Sequence, residues 1–156
     1  MKNKLIPVYQ TIISNINGNC TEAVYASLLE VELDEVPNFH ERKGHYWSEI
    51  GNFLMEYDFQ ALRVDLERKG GIEFWKDFMV CGYPKHENRK PKGFHGITVK
   101  SKVYEGGHHF IVGLDGEPYF DVNPNFIAQE TEYEIVAYVL LVSTNPASCK
   151  KKKNNK

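Results

Sequence analysis

Two kinds of periodicity meet at Asp58, and the order in which they come sets the fold class. Before it, apolar residues recur at helical spacing: Trp47, Ile50, Phe53, Leu54 and Tyr57 fall on one face at i, i+3, i+6, i+7 and i+10. An earlier helix is predicted over residues 20–30. Asn19 is a good N-cap, Glu22 follows it three residues later as in a capping box, and Gly18 suits a sharp turn into the helix. Its body carries Ala23, Val24, Ala26, Leu28 and Leu29 with few polar residues, so it reads as largely buried. Asp34 reads as the cap of a single turn that Pro37 ends.

After Asp58 the texture is that of strands. Residues 59–66 alternate loosely and 78–83 form a short apolar run. His95, Ile97 and Val99 alternate with Gly96, Thr98 and Lys100. Runs at 109–114 and 119–122 flank Asp115-Gly116-Glu117-Pro118, a strong hairpin signal. Residues 133–143 read as the last and longest strand, and 85–93 as a polar, basic, mobile loop. Helices first and an antiparallel meander afterwards define an α+β domain rather than alternating βαβ units. At 156 residues, 42% hydrophobic and 26% charged, the chain suits one domain with its own core. That domain is placed at 1–147, with a disordered lysine-rich tail at 148–156.

The tail hides the charge of the rest. Residues 150–156 carry five lysines and no acid, so without them the net charge of −2 falls to −7. An acidic body argues against a folded nucleic-acid binder. The longest apolar run, residues 135–142, is eight long, against about 20 for a bilayer crossing. Residues 1–10 show no secretory pattern. The three cysteines, Cys20, Cys81 and Cys149, therefore read as free thiols in a reducing, cytoplasmic setting.

One of the three stands apart. Cys20 follows the proposed N-cap directly, at the positive end of the helix dipole, where a thiolate is stabilised. His109 opens a strand, and Asp121 lies 12 residues on, across the Asp115-Gly116 hairpin. If that hairpin packs on the start of the helix, the three residues make a Cys-His-Asp triad. Cys20 is then the nucleophile, His109 the general base and acid, and Asp121 the group that fixes the imidazole tautomer. Two alternatives stay open: His108 in place of His109, since successive strand residues face opposite ways, and Asn123 in place of Asp121. For the oxyanion, the Cys20 backbone N–H is one donor and Gln10, the only glutamine before Cys20, is the other.

Other features read more plainly. Cys81 sits in an apolar run and belongs to a core, whereas Cys149 neighbours the lysine tail and is exposed. His95 opens a strand with no acid at hairpin spacing and reads as a surface or rim residue. His40, His45 and His86 have no Cys-x-x-Cys or His-x-x-x-His spacing around them, so no metal and no cofactor is expected. Trp47, Phe74, Trp75 and Phe78 read as core aromatics before cleft ones, and neither Gly70-Gly71 nor Gly106-Gly107 fits a phosphate loop.

Gln10, then Gly18-Asn19-Cys20, then Ala26-Ser27-Leu28-Leu29 resemble the start of the papain-like fold as it occurs in double-glycine-type cysteine peptidases. Gly107-His108-His109-Phe110-Ile111-Val112-Gly113, followed by Asp121-Val122-Asn123-Pro124, is similar to their His and Asp-x-x-Pro segments. With Pro7-Val8-Tyr9-Gln10-Thr11 in front and Glu35-Val36-Pro37-Asn38-Phe39 behind the helix, the chain looks most like small proteins of this type from bacteriophages and prophages. The resemblance spans residues 7–124. It implies a buried central helix packed with other N-terminal helices on an antiparallel sheet. It also implies a thiol hydrolase or transferase acting on an amide, ester or thioester of a peptide or other acyl substrate. The alternative is a phage-type binding or inhibitory protein on the same scaffold, sequestering a host protein or small ligand in the host cytoplasm.

Overall fold

A computed structural model of the chain describes residues 5–41, 45–66 and 90–145. The elements follow the order the sequence predicts. Helix α1 (Cys20–Leu29) and helix α2 (Tyr46–Glu56) come first, separated by a short 3-10 turn at Leu33–Glu35. Five strands follow: β1 (Phe59–Asp65), β2 (Phe94–Lys100), β3 (His108–Leu114), β4 (Glu117–Phe120) and β5 (Ile135–Ser143). The predicted strand at 78–83, Cys81, Cys149, His86, the aromatics Phe74, Trp75 and Phe78, most of the 85–93 loop and the lysine tail lie outside the described residues.

All strand pairs are antiparallel and the sheet order is β1-β5-β2-β3-β4. This corrects the simple meander. Only β2-β3-β4 run as neighbours in sequence order; β5 returns to insert between β1 and β2. Its long apolar run suits a central strand, which is covered on both faces. The hairpin turn is the two residues Asp115 and Gly116, both at positive φ (54° and 86°), with Leu114 paired to Glu117. Asp-Gly is the pair that reaches this turn with least strain.

Helix α1 packs on β3, and α2 packs on β1. The core between them holds Val24, Tyr25, Phe39, Ile50, Phe53, Leu54, Phe110 and Val112. A second apolar cluster of Ile97, Val99, Ile111 and Tyr138 includes alternate residues of β2. Two helical expectations change. Trp47, predicted on the buried face of α2, is 64% exposed, whereas Ile50, Phe53 and Leu54 are buried. The 3-10 turn is capped from Glu32, whose backbone N–H is taken by the Glu35 carboxylate, and not from Asp34. The turn does end before Pro37, as expected.

Candidate functional site

The start of α1 does not carry the capping box that the Asn19–Glu22 spacing predicts: Asn19 makes no side-chain bond to the helix. Its carboxamide reaches back along the chain instead. Asn19 Oδ1 accepts from Thr11 N (3.1 Å) and Ile12 N (2.9 Å), and Nδ2 donates to Thr11 Oγ1 (3.0 Å). Glu22 turns inward, is 2% exposed, and accepts from Phe39 N at 3.0 Å. Residues 11–18 thus form a loop tied off at Asn19. At Gly18 a Cβ would sit 2.4 Å from the Ser14 carbonyl oxygen, so a residue without a side chain lets this loop close.

This knot answers how Gln10, ten residues before Cys20, comes to lie beside it. Thr11 and Ile12 are pinned to the residue preceding Cys20. Gln10 N then donates to Val122 O at 2.9 Å, which joins it to the segment after β4. Gln10 is 7% exposed, and its side-chain Oε1 has no partner among the described residues. Gln10, Cys20, His109, Asp121, Asn123 and Tyr133 line one small cavity of about 50 Å³.

His109 and Asp121 meet across the β3–β4 hairpin. Nε2 of His109 donates to Asp121 Oδ1 at 2.7 Å. The pairing register shifts between Val112 and Gly113. Past that shift Val112 pairs with Phe120, and Asp121 follows directly where β4 ends.

Burial alone would push the His109 proton affinity down. Hydrogen bonds to Asp121 and to Cys20, with the charges of both, outweigh that and lift its pKa from 6.5 to about 9. With Nε2 given to Asp121, Nδ1 is the nitrogen left for the thiol. Cys20 itself is a half-buried free cysteine. It is the first residue of α1, where backbone N–H groups have no intrahelical acceptor.

Asp121 is 2% exposed and has three donors. Besides His109 these are Asn123 N on Oδ1 (2.8 Å) and the Tyr133 hydroxyl on Oδ2. Burial and the hydrogen bond to Asp121 push the Tyr133 pKa up, so its phenol keeps the proton it donates. Tyr133 is the site residue that sequence reasoning missed. It precedes β5, and the chain there runs beside the end of β2, with Lys100 N donating to Glu134 O (3.0 Å). Since Lys100 pairs with His108, insertion of β5 next to β2 delivers Tyr133 to the His109 end of the sheet. The order of strands is the signal, and it is not local.

The two alternatives fall out differently from the leading choice. His108 is exposed and has no bond to Asp121, although it lines the same cavity. Asn123 is buried but uses Oδ1 to accept from Asn125 N (3.0 Å), so Asp121 and not Asn123 holds the imidazole. His95, expected at a surface or rim, is 1% exposed: Nδ1 faces Gly93 O at 2.9 Å, and burial lowers its pKa.

On the other side of Cys20 and His109 lies a groove of about 830 Å³, between α1, α2 and the sheet. Among the described residues, no group of three or more His, Cys, Asp or Glu is arranged to hold a metal ion. Among them too, no helix is long and apolar enough to cross a membrane. The chemistry open to the arrangement is proton exchange between a sulfur and an imidazole backed by a buried carboxylate, in a cavity that Gln10 also lines. No protein-family model, curated protein or solved structure matches the chain.

Proposed function

We propose that the protein is a papain-like thiol hydrolase or acyltransferase, acting on an amide, ester or thioester through Cys20, His109 and Asp121. The observation that carries this reading is the 2.7 Å bond from His109 to buried Asp121, with Cys20 acting on the same ring from the first position of a buried helix. A protein that only sequesters a partner needs no imidazole bonded to a buried carboxylate beside a thiol.

In this reading Cys20 and His109 stand as thiolate and imidazolium, with the Cys20 proton on Nδ1, and the sulfur attacks the carbonyl carbon. The carbonyl π pair moves to oxygen, and the oxyanion is received by the Cys20 backbone N–H and the Gln10 carboxamide. His109 returns the proton to the leaving nitrogen, oxygen or sulfur as its bond to carbon breaks, leaving a thioester on Cys20. Water or an amine then attacks that thioester, gives its proton to His109, and expels Cys20. Asp121 keeps Nε2 protonated and the ring oriented throughout, and Tyr133 holds Asp121. A reduced thiol needs a reducing compartment, so we place the reaction in the cytoplasm.

The test is chemical. Alkylation by iodoacetamide near pH 6.5, followed by peptide mapping, is expected to modify Cys20 about tenfold or more faster than Cys149 or Cys81. Equal rates at Cys20 and Cys149 contradict the reading.

A further inference from the structure

We propose that the substrate of Cys20 is an apolar acyl compound bearing a carboxylate, and that Arg63 receives this carboxylate in the groove beside Cys20. The inference rests on the thiol chemistry proposed above and adds the substrate class.

The groove has an apolar wall that continues outward from the core. Trp47 and Met55 are large apolar side chains left 64% and 48% exposed on α2, and both line it with Phe110 and Val139. Exposed apolar groups gathered on one wall mark a surface that meets an apolar partner.

Charge supplies the second half. The chain has 21 acidic residues, yet none lines this groove among the described residues. In the small cavity on the other side of Cys20, Asp121 is the single carboxylate, and its oxygens are already engaged by His109, Asn123 and Tyr133. Cations are present on both sides, Arg63 in the groove and Lys102 in the cavity. An acidic body that keeps its carboxylates out of one cleft leaves that cleft open to an anion.

Arg63 is set to take it. Its Nε donates to Asp65 Oδ1 (2.7 Å) and its Nη1 to Thr98 Oγ1 (3.2 Å), while Nη2 has no partner among the described residues. The Arg63 and Asp65 side chains are 37% and 34% exposed, so solvent screens their ion pair and a bound carboxylate can compete with it. The planar guanidinium, fixed by Thr98, presents a fork that fits a carboxylate.

The experiment compares three alkylating probes on the full chain: iodoacetamide, N-iodoacetyl-phenylalaninamide and N-iodoacetyl-phenylalanine. The last two differ only in a carboxylate. Cys20 is expected to react about tenfold faster with the carboxylate than with the amide, an advantage that shrinks as salt is added. Arg63→Gln is expected to bring the two to one rate, and Arg63→Lys to restore part of the difference. Equal rates in the wild type, or an advantage that survives Arg63→Gln, overturn the proposal. A Cys20 that reacts readily with iodoacetamide yet shows no preference between the other two sinks the substrate class alone. A Cys20 inert to all three sinks the proposed function with it.

Discussion

Two carboxylates in this protein are buried to the same degree and are built for opposite ends. Asp121 and Glu22 are each 2% exposed, and Glu22 stands two residues from Cys20. Asp121 is met by a ring nitrogen, a backbone N–H and a phenol. Glu22 accepts from Phe39 N on Oε1, and its Oε2 has no partner among the described residues. Burial raises the Glu22 pKa above 4.5, with backbone hydrogen bonds only partly offsetting it. Depth in the fold therefore does not make a site. The number of donors turned toward the group does, because only they replace the water that a charge has lost.

The contrast can be broken at three strengths. Asp121→Asn keeps the shape but removes the charge that holds His109, and alkylation of Cys20 at pH 6.5 is expected to slow roughly 100-fold. Tyr133→Phe removes one of three donors and leaves the pair standing, so a loss of about tenfold is expected with the melting temperature little changed. If Tyr133→Phe costs as much as Asp121→Asn, the phenol does more than position the carboxylate. Glu22→Gln addresses stability. The native state holds the Glu22 proton more tightly than the unfolded chain does. The stability from that group is therefore complete below pH 4.5 and lost as pH rises through its native pKa. Glutamine cannot ionise, so urea unfolding should show the variant gaining on the wild type as pH rises from 4 to 8. A difference that does not change between pH 4 and pH 8 contradicts a Glu22 pKa raised by burial.

Much of this was legible in the residues. The two helices and the Asp115-Gly116 turn follow from periodicity and turn chemistry, which are local, whereas β4, expected at 119–122, lies at Glu117–Phe120 and ends one residue before Asp121. Cys20, His109 and Asp121 could be joined on sequence because a tight hairpin links the last two. What escaped reading was non-local. Asn19 with Glu22 three residues on looks the same whether the pair caps a helix or splits, one residue tying a loop and the other packing under Phe39. Trp47 has core spacing, but the face it shares with Ile50 turns partly onto a groove. Tyr133 gave no signal, because its place depends on β5 entering between β1 and β2. Gln10 was singled out as the only glutamine before Cys20 and by the resemblance, and it took the Asn19 knot to show what brings it to Cys20.

The claim on which the rest stands is that Cys20, His109 and Asp121 behave as one acid–base unit. The imidazole of His109 reports this directly, and its titration can be followed by NMR in the full chain. The account predicts a pKa of about 9, falling back toward 6.5 in Asp121→Asn. A His109 that titrates near 6.5 in the wild type, unmoved by loss of the Asp121 charge, would contradict it.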